Sequence, residues 1–176
     1  MLAPLLQPTL SIVHYQHVLT VMNWLHLPMR ERLMEAMAKF MPGTDFLPSD
    51  RPGWLSEDLE WFGMPITSAP ERIAKCVKLR FTSAKSLVGA LYVLEGSTLG
   101  GQVITRQLAQ SIQVYPGKGA SFFHGHGADT HVRWNAFWQF AADVCAQGSL
   151  DEVCISAVRM FEDLEHVLNT CVPSRL

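Results

Sequence analysis

The chain has 176 residues, 48% of them hydrophobic and 17% charged, with a formal net charge of −2. That length is most simply a single domain over 1–176, large enough to bury roughly 70% of its unfolded surface. The charge balance excludes a general nucleic-acid surface, which needs a basic excess. No stretch approaches the roughly 20 uncharged apolar residues of a membrane span.

Met1 to Gln16 carries no Lys or Arg ahead of its apolar residues, so it does not read as a secretory signal. Pro4 and Pro8 discourage a helix before Thr9 or Ser11, either of which can cap a helix beginning near Ile12. Ile12, Tyr15, Val18/Leu19, Met22 and Leu25 repeat at helical spacing, which predicts an amphipathic helix that Pro28 kinks or ends. Leu33, Met34, Met37 and Phe40 resume the spacing until Pro42-Gly43. Gly43 to Gly53 reads as a surface excursion. Ser56 to Phe62 predicts a short helix with a Ser cap, an acidic first turn and Gly63 as its stop. Another short helix starts at Pro70, carrying Ile73 and Val77.

Thr82 or Ser83 caps the central stretch. Leu87, Ala90, Leu91 and Leu94 form its apolar stripe, and Val103, Ile104 and Leu108 resume it, with Gly96, Gly100 and Gly101 between. Three glycines forgo about 3 kcal/mol of helix propensity, which favours an interrupted or kinked helix. Val114 to Thr130 is irregular. Asp129 or Thr130 can cap a helix through Trp134, Phe137, Phe140 and Val144. Ser149-Leu150-Asp151-Glu152 reads as a capping box for a last helix with Leu150, Val153, Ala157, Phe161, Leu164 and Leu168 in register. With no strand-length alternating segment, the expected fold class is all-α, about seven or eight helices around one core.

Cys76, Cys145, Cys154 and Cys171 show no CxxC pair and no zinc-ligand spacing. They read as thiols in a reducing cytoplasm, with a Cys145–Cys154 pairing across the Gln147-Gly148 turn as the alternative. GxSxG, P-loop, HExxH and GxGxxG signals are missing, which leaves binding between helices as the expectation. The glycine cluster has three readings: close helix–helix packing, a planar ligand lying against exposed backbone, or a simple helix end.

Leu91-Tyr92-Val93-Leu94-Glu95-Gly96-Ser97-Thr98-Leu99-Gly100-Gly101-Gln102-Val103-Ile104 closely resembles the distal-helix motif of bacterial heme oxygenases, especially the biliverdin-producing type associated with bacteriophytochromes. Leu10 to Gln16 through Pro28 to Glu31 resembles that family's second helix. Trp54-Leu55-Ser56-Glu57-Asp58-Leu59 with Gly63, and Phe122 to Gly127 followed by Arg133-Trp134-Asn135-Ala136-Phe137, resemble further segments in the right order.

The resemblance implies a heme-oxygenase-like helical bundle that cleaves heme to biliverdin, iron and carbon monoxide. Heme would serve as both substrate and cofactor, with O2 and with electrons from a reductase or ferredoxin. Gly96, Ser97, Thr98 and Gly100 would be catalytic positions. Leu99, Gly100, Gly101, Gln102 and Arg133 would contact heme, Arg133 through a propionate. The family's iron-ligating His lies on a first helix upstream of the segment matched by Leu10, and no His precedes Leu10 here. The expectation is therefore a shortened or missing proximal helix. His14 and His17 are the substitutes the sequence offers, though they match positions that are not ligands. His26 reads as a packed or capping residue, and His124-Gly125-His126 as a plain loop. There are two alternatives: a heme- or bilin-binding protein without catalysis, and a helical interaction scaffold. A cytoplasmic protein, with a homodimer covering the face a missing helix exposes, completes the expectations.

Overall fold

The computed structural model describes residues 2–77 and 79–171. Among the described residues there are seven α-helices and no strand: α1 Ile12–Phe40, α2 Arg51–Trp61, α3 Glu71–Cys76, α4 Ala84–Ser111, α5 Ser121–His124, α6 Thr130–Val144 and α7 Asp151–His166. A 3-10 turn, Ala3–Leu6, precedes them, and a π turn, Val167–Cys171, comes after. The fold is all-α, as the periodicity predicts. Helix α4 runs through its middle and touches α1, α5, α6 and α7. It is also the one described helix long and apolar enough to cross a membrane, but more than half of that window is buried in the protein.

Three local expectations are corrected. Pro28 neither ends nor splits the first helix, which continues to Phe40. A helix-interior Pro costs about 3 kcal/mol. Leu25, Met29 and Leu33 are all buried on either side of it, and each such burial contributes about 1.5–3 kcal/mol, so the continuous apolar stripe wins. Helix α2 starts at Arg51, with Pro52 in its first turn, so Ser56 lies inside the helix instead of capping it. The capping box expected at Ser149 does not form. The Glu152 carboxylate instead accepts from Ser83 Oγ at 2.6 Å, tying α7 to the N-terminus of α4. Ser83 itself caps α4 in a reciprocal box with Ser86, and Ser11 caps α1. Cys145 and Cys154 are free, as the reading of thiols expects, whereas Cys76 is disulfide-bonded, which that reading does not.

Helix α4 is continuous from Ala84 to Ser111 despite its glycines, and their surroundings explain this. A Cβ at Gly89 would lie 2.3 Å from the Val153 carbonyl oxygen of α7. At Gly101 it would lie 2.2 Å from the Phe123 carbonyl oxygen of α5. These two glycines bring α4 into backbone contact with its neighbours, and the packing gained there offsets the propensity lost. A Cβ at Gly96 would meet the Trp134 ring edge at 3.3 Å, whereas Gly100 has no atom within 4 Å of that position.

Two buried polar groups hold α5 and the segment before it in place. Asp58, fully buried on α2, accepts the backbone N–H groups of Ser121 at 2.7 Å and Phe122 at 2.8 Å. These are among the otherwise unpaired donors of the α5 first turn. The Tyr15 hydroxyl donates to the Gly119 carbonyl at 2.7 Å. Burial pushes the Asp58 carboxyl up to about 6, although both N–H bonds pull the other way.

Gly89→Ala is expected to lower the thermal midpoint, because the methyl group meets fixed backbone, an overpacking cost of about 1–3 kcal/mol. Gly100→Ala is expected to leave the midpoint unchanged or raise it, by up to about 1 kcal/mol of helix propensity. Calorimetry on the pair checks both signs. Asp58 makes a second case. Its folded-state pKa lies above the ordinary 3.8, so its protonation-linked contribution to stability is full below that value and is lost as pH rises through about 6. Asp58→Asn should flatten the stability–pH curve in this window, as read by urea midpoints across it.

Candidate functional site

A cavity of about 460 Å³ lies between α1, α4 and the C-terminal part of α7. This volume is in the range of small-molecule sites, roughly 300–1,000 Å³. One wall is α4, from Val93 and Leu94 through Ser97, Thr98, Gly100 and Gly101 to Val103 and Ile104. Met22, Leu25 and His26 of α1, with Phe122 and Phe123 of α5, form another. Leu2 and Leu6 come from the N-terminal turn, and Phe161, Leu164 and Leu168 close the far side. The apolar stripe of the last helix is therefore spent partly on a cavity, which is why Phe161 is exposed although its spacing is that of a core residue.

Three polar side chains give the cavity its chemistry. Arg51, 7% exposed at the start of α2, donates through Nη2 to the Leu94 carbonyl and to Ser97 Oγ. Its guanidinium lies 6.0 Å from the Phe122 ring centroid. Burial disfavours its charge and the nearby Glu95 carboxylate favours it. Its Nε is buried with no hydrogen-bond partner among the described residues. Ser97 Oγ also donates to the Leu94 carbonyl at 2.8 Å, so Arg51 and Ser97 share one acceptor. His26 is 8% exposed, with its ring 5.3 Å from that of Phe122. It makes no hydrogen bond among the described residues. Burial, reinforced by the Arg51 charge, holds its pKa well below the ordinary histidine value. The imidazole is neutral at pH 7.

Behind this wall lies a second polar group. Glu95, buried on α4, accepts the Ser49 backbone N–H at 2.9 Å and Ser49 Oγ at 2.5 Å. Ser49 Oγ lies 2.8 Å from His126 Nε2. The carboxylate can only accept, so the hydroxyl proton points to Glu95 and His126 supplies Nε2–H. A small crevice of about 20 Å³ is walled in part by His26, Ser49, Arg51 and Glu95.

The structure divides the residues singled out from sequence. Ser97, Thr98, Gly100 and Gly101 line the cavity. Thr98 Oγ1 is committed to the Glu95 carbonyl at 2.6 Å. Gly96 backs onto Trp134 instead, and Leu99 is not on the wall. Gln102 faces the loop after α5, where Nε2 donates to the His124 and Gly127 carbonyls at 3.1 and 3.2 Å and to Thr130 Oγ1 at 3.3 Å. Arg133 donates to the Leu47 carbonyl at 2.7 Å, away from the cavity. His14 and His17 have ring centroids 6.4 Å apart, and neither lines the cavity. No cluster of metal-ligating side chains occurs among the described residues. Sequence reasoning missed His26 and Arg51. Helical spacing from Met22 placed His26 on the apolar face and could have flagged it. Arg51 carried no such signal, since α2 begins in what reads as a loop.

Gln102→Leu removes all three bonds to the loop after α5. The expected cost is about 1–3 kcal/mol for the buried groups left unpaired, with faster amide exchange confined to 124–130, measurable by hydrogen-exchange mass spectrometry.

The family model for heme oxygenase matches residues 4–164. No curated protein and no solved structure matches the chain.

Proposed function

This chain belongs to the heme oxygenase family, and we propose that it binds heme in the cavity beside Gly100 and oxidises it to biliverdin. The observation that carries this reading is the open space at Gly100. No atom lies within 4 Å of its missing Cβ, on a helix whose other close-packed glycines are filled by neighbours. A planar macrocycle needs such a bare stretch of backbone together with apolar walls, and Leu25, Phe122, Phe161 and Ile104 supply the walls. Arg51 supplies a cation for the carboxylate groups of the ligand, its Nε still unpaired.

When bound, heme supplies the iron at which O2 is activated, with electrons from a reductase or ferredoxin. The chain's own part is to hold the ring flat against Gly100 and to exclude bulk water with the phenylalanines. Ser97 and Arg51 present hydrogen-bonding groups at the α4 surface. Thr98 has its hydroxyl turned to the Glu95 carbonyl and acts as packing. A link to a bacteriophytochrome pathway belongs to this proposal through the sequence resemblance, a homodimer through the apolar face that a missing first helix would expose, and a cytoplasmic location through the cysteine usage.

A second reading has its own observation. Neither His14 nor His17 reaches the cavity wall, so the sequence-derived substitutes for the family's iron ligand are not presented to it. Heme or bilin binding without turnover fits that placement.

Titration with ferric heme should give a shifted Soret band, and ferredoxin-supported reduction should then give bilin absorbance and carbon monoxide. A Soret shift with the macrocycle intact after reduction selects the second reading. Absence of a shift at micromolar heme rejects both. Gly100→Leu should weaken binding by at least about 100-fold, since a side chain the size of leucine occupies the ring's place. Its circular dichroism should stay unchanged, because that space is open in the folded chain.

A further inference from the structure

Resting on the oxygenase reading, we propose that His126, Ser49 and Glu95 form a proton path from the protein surface to His26 on the cavity wall. Glu95 and His26 both line one small crevice. His126 is half-buried and stands edge-on to Trp54, ring centroids 4.9 Å apart, so it borders solvent at one end of the path. Ser49 Oγ bridges it to Glu95 with contacts of 2.8 and 2.5 Å. The crevice measures about 20 Å³, enough for one water by the roughly 10–15 Å³ that one occupies on this measure. Ser49, Glu95, Arg51 and His26 offer that water its polar partners. Of these, His26 and Arg51 also line the large cavity, and a guanidinium does not release protons. His26 is therefore the exit.

The chemistry balances without any redox partner. A solvent proton adds to His126 Nδ1 as its Nε2 proton passes to Ser49 Oγ and the Ser49 hydroxyl proton passes to Glu95 Oε2, which leaves a neutral imidazole and a neutral carboxylic acid. That acid protonates the crevice water, which gives a proton to one ring nitrogen of His26 while the other nitrogen releases its proton into the cavity. His126 then returns to its Nε2–H tautomer by exchange with solvent. One proton enters, one leaves, and no charge stays in the interior. Burial keeps the His26 imidazole neutral at rest, and a neutral imidazole passes a proton by exchanging tautomers. The arrangement also explains why a carboxylate is kept buried on α4 beside a hydroxyl and a cation when a well-packed apolar group would be at least as stable there.

The test uses Ser49→Ala, with Glu95→Gln as a second break and Ser49→Thr as the variant that keeps the hydroxyl. Ser49 does not line the large cavity, so heme affinity from Soret titration should change by less than about twofold in Ser49→Ala and Ser49→Thr. In protein loaded with zinc protoporphyrin, which covers the cavity without turning over, the His26 ring N–H exchange rate is read by nitrogen-15 NMR. It should fall about tenfold or more in both breaking variants and recover in Ser49→Thr. With heme and a ferredoxin system, the solvent deuterium isotope effect on bilin formation should rise in the same two variants. Unchanged exchange and an unchanged isotope effect, with porphyrin still bound, would overturn the path and leave the heme reading standing. Wild-type protein that gives no Soret shift would overturn both.

Discussion

Close backbone contact along α4 is the constraint on which the rest of the molecule depends. At Gly89 and Gly101 the helix meets the carbonyl oxygens of Val153 and Phe123 so closely that no side chain fits. The first contact seats α7 and the second seats α5. Between them, Gly100 faces open space. Loss of helix propensity at these glycines, about 1 kcal/mol each, is therefore put to two different uses on one helix. Two glycines draw neighbours in, and one keeps them out.

The neighbours drawn in are the ones that complete the cavity. Seating α5 places Phe122 and Phe123 on the wall, and Asp58 and Tyr15 hold α5 and the segment before it through backbone hydrogen bonds. Seating α7 brings Phe161 and Leu164 to the opposite side. Unbroken passage of α1 through Pro28 lets Leu25, His26 and Met29 continue one face, so that His26 stands at the cavity with its polar atoms uncommitted. Packing here is the means by which functional groups are aimed.

Electrostatics in the site derive from this enclosure. Arg51, His26 and Glu95 are all nearly removed from solvent. An isolated buried charge is expensive, and the interior answers in two ways. Arg51 keeps its charge through the Leu94 carbonyl, Ser97 and the neighbouring Glu95. His26, with no such partners, stays neutral. Two basic side chains of one cavity thus carry different protonation states because only Arg51 has acceptors and a carboxylate beside it.

Much of this was legible in the residues themselves. The all-α class, the caps at Ser11 and Ser83, the stop at Gly63 and the buried stripe from Leu87 to Leu94 come from local periodicity and capping, because these depend on residues a few positions apart. The order of motifs around Glu95-Gly96-Ser97-Thr98-Leu99-Gly100-Gly101 points to the family without any geometry. Local rules could not sort the three glycines, since the atoms that crowd Gly96 and Gly101 come from Trp134 and Phe123, far along the chain. Nor could they place Arg51, His26 and Glu95 around one cavity, or turn Glu152 away from its own helix toward Ser83. Those outcomes depend on distant segments meeting, and burial and hydrogen-bond satisfaction decide them only once the helices are packed.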